Sequence, residues 1–242
     1  MTVYHGGRTI YGEAIGILLL ETQFPRMPGD IGNASTFDFP VNIKVVKGAT
    51  VQKIIMDGDD SSLNDFIDTA RELEADGVRA ITTSCGYLTT IQQPLIEALN
   101  IPVFCSGLMM VPMVARMMPV GRKVAILTLD SSKLTKHHLE LAGITNEDVV
   151  FIGAETVPEF YNNCVKNVLE YDPADVERGV VGLVKKHVAE NPDIGAIVCE
   201  GVNFAPYGGG VQEATGLPWF DIVDLTNMVY AAVVKRRHTG FV

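Results

Sequence analysis

Along this chain, short unbroken apolar runs alternate with segments whose apolar residues recur every three or four positions. Eight runs read as strands: AIGILLL (14–20), VNIKVV (41–46), RAITTS (79–84), IPVFCS (101–106), RKVAILTL (122–129), VVFIG (149–153), GAIVCE (195–200) and LPWFDI (217–222). Most are continuous aliphatic or β-branched stretches, not strict alternations of apolar and polar residues. Such runs mark strands covered on both faces, and therefore parallel sheet.

The intervening segments carry helical signals. Ser61 or Ser62 can cap a helix whose apolar face holds Leu63, Phe66, Ile67, Ala70 and Leu73, and Gly77 can end it. Asp172-Pro173 opens another, with Val176, Val180, Leu183 and Val184 on one side. Residues 131–143 and 225–236 complete the clear helices. Stretch 108–120, with five methionines, reads as core or subunit interface. YGGGVQEATG (207–216) fits no P-loop or dinucleotide fingerprint and reads as a loop and helix start. Strand–helix alternation means an α/β fold with helices on both faces of the sheet.

The order also repeats. Ala80-Ile81 returns as Ala196-Ile197 and NIPVFC as GLPWFD, both displaced by 116 positions (196 − 80 and 218 − 102). Four strands per half predict two similar α/β lobes facing each other. We expect residues 1–108 plus 223–242 in an N-terminal lobe, 109–222 in a C-terminal lobe, and the two packed as one unit. Ligands of such sheets bind beyond the carboxyl ends of the strands, so the loops after residues 84 and 200 should flank a cleft.

Three loops can carry chemistry. Cys85 ends a predicted strand and precedes Gly86, Tyr87 and a helix start. Backbone N–H groups there favour a thiolate and predict a thiol pKa lowered from about 8.5 toward neutrality. The bland reading is a small buried apolar residue. After the first strand, ETQFPRMPGDIGN (21–33) offers Glu21, Thr22, Arg26, Asp30 and Asn33 in a loop stiffened by Pro and Gly. Arg26 is the one obvious cation there for a carboxylate, unless it pairs with Asp30. After the fifth strand, Asp130, Ser131 and Ser132 offer hydroxyls, but read first as a helix cap.

Composition narrows the classes. With 242 residues and 47% apolar content the chain can bury roughly 70–75% of its unfolded surface. A formal charge of −10 argues against nucleic acid and acidic membrane surfaces. Four cysteines, Cys85, Cys105, Cys164 and Cys199, form no C-x-x-C pair and have no zinc spacing. His137 and His138 are adjacent and so fall on different faces of a helix. No metal or cofactor is expected. The run 14–20 is too short to span a bilayer, so a cytoplasmic protein with free thiols is the expectation, with a homodimer as the default assembly.

The combination of FPRMPGDIGN, ITTSCGYL and NFAPYGGGVQEATGLPWFDIVDL resembles the cofactor-independent aspartate/glutamate/hydantoin racemase superfamily, across nearly the whole chain. The resemblance implies two Rossmann-like lobes related by a pseudo-twofold axis, a site between them and one catalytic cysteine per lobe. The first maps to Cys85, a general acid/base. The second belongs to a Glu-Cys-Thr-Asn pattern, which here reads Glu200-Gly201-Val202-Asn203. Cys199 cannot simply take over. Residues two apart on a strand lie about 6–7 Å apart, whereas proton transfer needs a reach near 3 Å. Glu200 is a candidate substitute acid or base, although its counterpart Ser84 suggests a structural place.

The implied activity is proton transfer at the carbon next to a carboxylate or amide carbonyl of a small acid, of amino-acid or hydantoin type. Backbone N–H groups at 86–87 and 202–203, with Thr22 and Ser131, would stabilise the enediolate. Superfamily relatives include arylmalonate decarboxylases and maleate isomerases. They also include lyases that release dimethyl sulfide from dimethylsulfoniopropionate. The loss of one thiol makes a one-thiol decarboxylase or lyase the alternative enzyme. A small-acid-binding protein on a retired enzyme scaffold is the alternative outside catalysis.

Overall fold

A computed structural model describes Val3 and residues 5–145 and 148–241. All eight expected strands form: β1 (Ile15–Leu20), β2 (Val41–Val46), β3 (Ala80–Thr83), β4 (Val103–Phe104), β5 (Lys123–Thr128), β6 (Val149–Gly153), β7 (Ile194–Cys199) and β8 (Trp219–Phe220). They build two four-stranded sheets, ordered β2-β1-β3-β4 and β6-β5-β7-β8, and every pairing is parallel. The internal repeat extends to the register. Ile81 pairs with Val103 and Thr82 with Phe104, as Ile197 pairs with Trp219 and Val198 with Phe220. Burial follows position in the sheet: β3 and β7 are buried at every residue, while the edge strands β2 and β6 leave Val45 and Phe151 exposed.

The helices cover the sheet faces. α1 (Leu63–Asp76) buries Phe66, Ala70 and Leu73 and ends at Gly77, whose φ of 105° needs the left-handed region. Then follow α2 (Gln92–Ala98), α3 (Val111–Met117), α4 (Lys136–Leu141), α5 (Pro158–Val165), α6 (Pro173–Glu190), α7 (Gly208–Thr215) and α8 (Ile222–Val233). Asp172 caps α6 through the amide of Ala174. α8 returns to the first sheet: Arg79 Nη1 donates to the Val233 carbonyl at 2.9 Å, and Tyr230 stacks on Phe39 with ring centroids 3.5 Å apart.

Two helices differ from expectation. The predicted helix over 131–143 is confined to α4, because the Asp130 carboxylate accepts from the amide and hydroxyl of Ser132 and folds a turn there instead. The cap is Thr135, whose partner in a reciprocal capping box is His138. The helix expected over 225–236 starts three residues earlier, because Asp221 accepts from the amides of Val223 and Asp224. Among the described residues, no helix is long and apolar enough to cross a membrane.

The sheets meet through their loops. A Cβ on Gly107 would overlap the carbonyl oxygen of Cys199, so a residue without a side chain is what lets the loop after β4 approach β7 this closely.

Candidate active site

The loops after β1, β3 and β7 converge on one tight cleft, whose cavity volume is about 30 Å³. Thr22, Arg26, Cys85, Gly86, Tyr87, Gly201, Val202 and Asn203 all line it. Three candidates lie elsewhere. Glu21 turns outward and accepts from the amide of Gly48. Ser131 hydrogen-bonds Glu155. Cys199 is sealed in β7, 1% exposed, where burial raises its thiol pKa well above the usual range, reinforced by Asp221. It is no substitute catalyst, since a strand interior leaves it no path to the cleft.

The first loop is locked by its own polar groups. Arg26 Nη1 donates to Asp30 Oδ1 at 2.7 Å, and Nη2 donates to Thr22 Oγ1 at 3.0 Å. Asp30 also accepts from the Gly32 amide at 2.7 Å and from Asn203 Nδ2 at 2.6 Å. The last bond crosses from the β1 loop to the β7 loop, so one carboxylate ties both walls of the cleft. The guanidinium keeps N–H groups beyond those two bonds, because arginine has five donors.

Cys85 lines the cleft but is only 4% exposed. The expectation of a lowered thiol pKa is corrected here. Burial pushes it up, and the charge of Glu200 pushes the same way. The amides of Tyr87 and Leu88 and the Arg26 charge oppose them without prevailing. The local loop favours the thiolate, while the wider surroundings favour the thiol.

Glu200 is the group whose position the sequence understates. Its counterpart Ser84 accepts from the Leu20 amide at 2.9 Å and is structural. The main chains match, with Ser84 N donating to Leu18 O and Glu200 N to Leu127 O. The Glu200 side chain instead reaches across to Gly86. There Oε2 accepts from Thr128 Oγ1 at 2.8 Å, and Oε1 has no hydrogen-bond partner. Burial drives its pKa up to about 7, with the Thr128 bond and the amides of Leu129 and Tyr87 pulling the other way. Cys164, from α5, is a second thiol lining the cleft; it approaches Asn203 Oδ1 at 3.9 Å, and burial pushes it up to about 12. No strand-end signal marks it, because it arrives from a helix. Leu20, Phe24, Val51, Ile55 and Leu129 complete the apolar wall.

Gly201 has an ordinary φ of −73°, so its backbone would accept a cysteine. Its surroundings would not. A Cβ there would lie 2.6 Å from Cε2 of Phe204, a ring fully buried and stacked on Phe160 at 4.1 Å. The space that a side chain at position 201 would need is therefore filled, not vacant. Gly201→Cys is expected to destabilise the protein by about 1–3 kcal/mol through overpacking and to create no racemase. A chemical-denaturation curve with an unchanged midpoint would refute the overpacking.

No family model matches the chain. Among solved structures, an allantoin racemase from Klebsiella pneumoniae is 15% identical, with a TM-score of 0.58 over 93% of this chain and 91% of that one. A glycine-to-cysteine mutant of arylmalonate decarboxylase is 19% identical, with a TM-score of 0.56 over 92% and 94%. These likenesses establish the fold. Among curated proteins, a dimethylsulfoniopropionate lyase of Durusdinium sp. clade D is 29% identical over 87% of this chain and 71% of its own length. Dimethylsulfoniopropionate lyase 7 of Emiliania huxleyi is 31% identical over 94% of this chain and 69% of its own. That last similarity means that the chain belongs to the dimethylsulfoniopropionate lyase family.

Proposed function

We propose that the protein is a lyase that eliminates a cationic sulfonium group from a small carboxylate such as dimethylsulfoniopropionate, with Cys85 removing the proton next to the carboxylate. The observation that carries this reading is the asymmetry of the cleft. Of the two positions that the 116-residue repeat pairs, one holds Cys85 and the other Gly201, backed by Phe204, and both line the cleft. Racemisation needs a base on one face of the carbon and an acid on the other, whereas elimination needs one base. The names of the curated relatives favour the same choice.

In the proposed step the Cys85 thiolate takes the α-proton. The C–H electron pair becomes the double bond, and the carbon–sulfur bond breaks with its pair leaving on sulfur. The products are dimethyl sulfide, acrylate and one proton. The free N–H groups of Arg26 suit the carboxylate. A formal charge of −10 draws the cationic end toward the protein.

Incubation with dimethylsulfoniopropionate should release dimethyl sulfide and acrylate in equal amounts, and Cys85→Ala should lower the rate by about 10²–10⁴-fold. Failure to release dimethyl sulfide, or release unaffected by Cys85→Ala, overturns the assignment. Run in deuterium oxide with candidate amino acids and hydantoins, α-deuterium uptake without elimination would restore the racemase reading.

A further inference from the structure

We infer that the segment between Gly48 and Gly58 is a lid over the cleft, clasped to the second lobe by Lys133, which must swing away before a ligand can reach Cys85. The lid is needed whichever reaction the cleft performs, because of size. The cavity beside Cys85 measures about 30 Å³, room for about two waters, whereas small-molecule sites run to about 300–1,000 Å³. A thiol only 4% exposed beside so small a space meets no substrate unless a wall moves.

Most of the walls are fixed. The β1 loop is bound through Asp30 to Arg26 and Asn203. The β3 and β7 loops meet at Gly86, against the carbonyl oxygen of Glu200. α5, which brings Cys164, carries Phe160 stacked on Phe204. The wall formed by Val51 and Ile55 is of another kind. Both side chains are buried and line the cleft, at and within a single turn of π-helix over Gln52–Met56, while Gln52 and Lys53 are exposed. Such turns are rare and recur at functional sites.

Both ends of the segment are built to turn. Gly48 has a φ of 77° and Gly58 a φ of 63°, and a Cβ on either would meet nothing within 4 Å. A glycine in open space can absorb the φ/ψ change of a hinge without collision. The first hinge has a fixed base, since Glu21 Oε2 accepts from the Gly48 amide and the Glu21 amide donates to the Ala49 carbonyl, both at 2.8 Å. Beside the segment, Ile54, Gly58, Leu63, Ile91 and His137 line a second cavity of about 290 Å³, which leaves it space to shift into.

Met56 is the point of attachment to the second lobe. Lys133 Nζ donates to its carbonyl at 2.8 Å. The Tyr161 hydroxyl, which donates to Asp130 Oδ2 at 3.0 Å, lies 3.7 Å from its sulfur. Neither Lys133 nor Tyr161 lines the cleft, so the clasp can be cut without altering the site.

The experiment is iodoacetamide labelling of the full chain at fixed pH, read by peptide mass at each cysteine. Cys105 is the reference: it is 0% exposed and lies away from the cleft, and burial raises its thiol pKa as it raises that of Cys85. In wild type, Cys85 should label at least 10-fold faster than Cys105. Lys133→Met keeps an apolar stem but loses the donor. It should speed Cys85 labelling at least 10-fold, the worth of a hydrogen bond from a charged group, and leave Cys105 unchanged. Equal rates at the two thiols in wild type would mean that only global unfolding opens the cleft. An unchanged Cys85 rate in Lys133→Met would mean that Lys133 clasps nothing, and equal acceleration of both thiols would mean that it serves overall stability. Each of these three results overturns the inference.

Discussion

Gly86→Ala is expected to lose stability by about 2–3 kcal/mol through overpacking and to lose at least 100-fold in turnover, because 1 Å displacements of reacting groups cost that much. The sign of the stability change is the discriminating part. Gly86 does not sit in the positive-φ region, so an alanine there meets no backbone strain. If Gly86 were an ordinary flexible turn residue, the exchange would stabilise the protein by about 0.4–1 kcal/mol, through reduced freedom of the unfolded chain. The added methyl would instead overlap the carbonyl oxygen and Oε1 of Glu200. The carbonyl belongs to a main chain held by the Glu200 N–H bond to Leu127 at 2.8 Å. It cannot yield as a flexible side chain would, so the two loops must part. Urea denaturation and kcat/KM on the same preparation test both halves; a gain in stability would show that the close approach is absent.

How much of this was legible in the sequence depends on the range of the forces involved. The strands were, because parallel strands buried on both faces are continuous apolar runs and nothing distant changes that. The cleft walls at Thr22, Arg26, Cys85–Tyr87 and Gly201–Asn203 follow from strand ends and a 116-residue repeat. α4 was misplaced because a side-chain turn at Asp130 outcompeted the helix. The Cys85 pKa reading had the wrong sign because its loop amides are local and visible, while burial and Glu200 come from elsewhere in the chain. Pairing Glu200 with Ser84 describes the backbone and not the side chain, whose extra methylene and carboxyl group carry it across to Gly86. The filling of position 201 by Phe204 needed coordinates, since a repeat reports which residue is missing and not what occupies its space.

Asp30→Ala should be the most destabilising single change in the cleft, at about 3–5 kcal/mol, or roughly 6–20 °C in Tm for a chain of this size. Asp30 and Arg26 expose 4% and 11% of their side chains, so truncating the carboxylate strands a guanidinium out of water. It also leaves the Gly32 amide and Asn203 Nδ2 without their acceptor. A drop below about 1 kcal/mol, the scale of a surface pair, would show that the ion pair is not what holds the loop. Stability and function should then separate in the double variant Arg26→Met with Asp30→Leu. Replacing a buried ion pair by apolar residues of similar volume is often neutral, so much of the lost Tm should return. Lyase activity should not, because the double variant has no cation left on the cleft wall to hold a carboxylate. Recovery of both together would mean that Arg26 serves the fold and never meets the substrate.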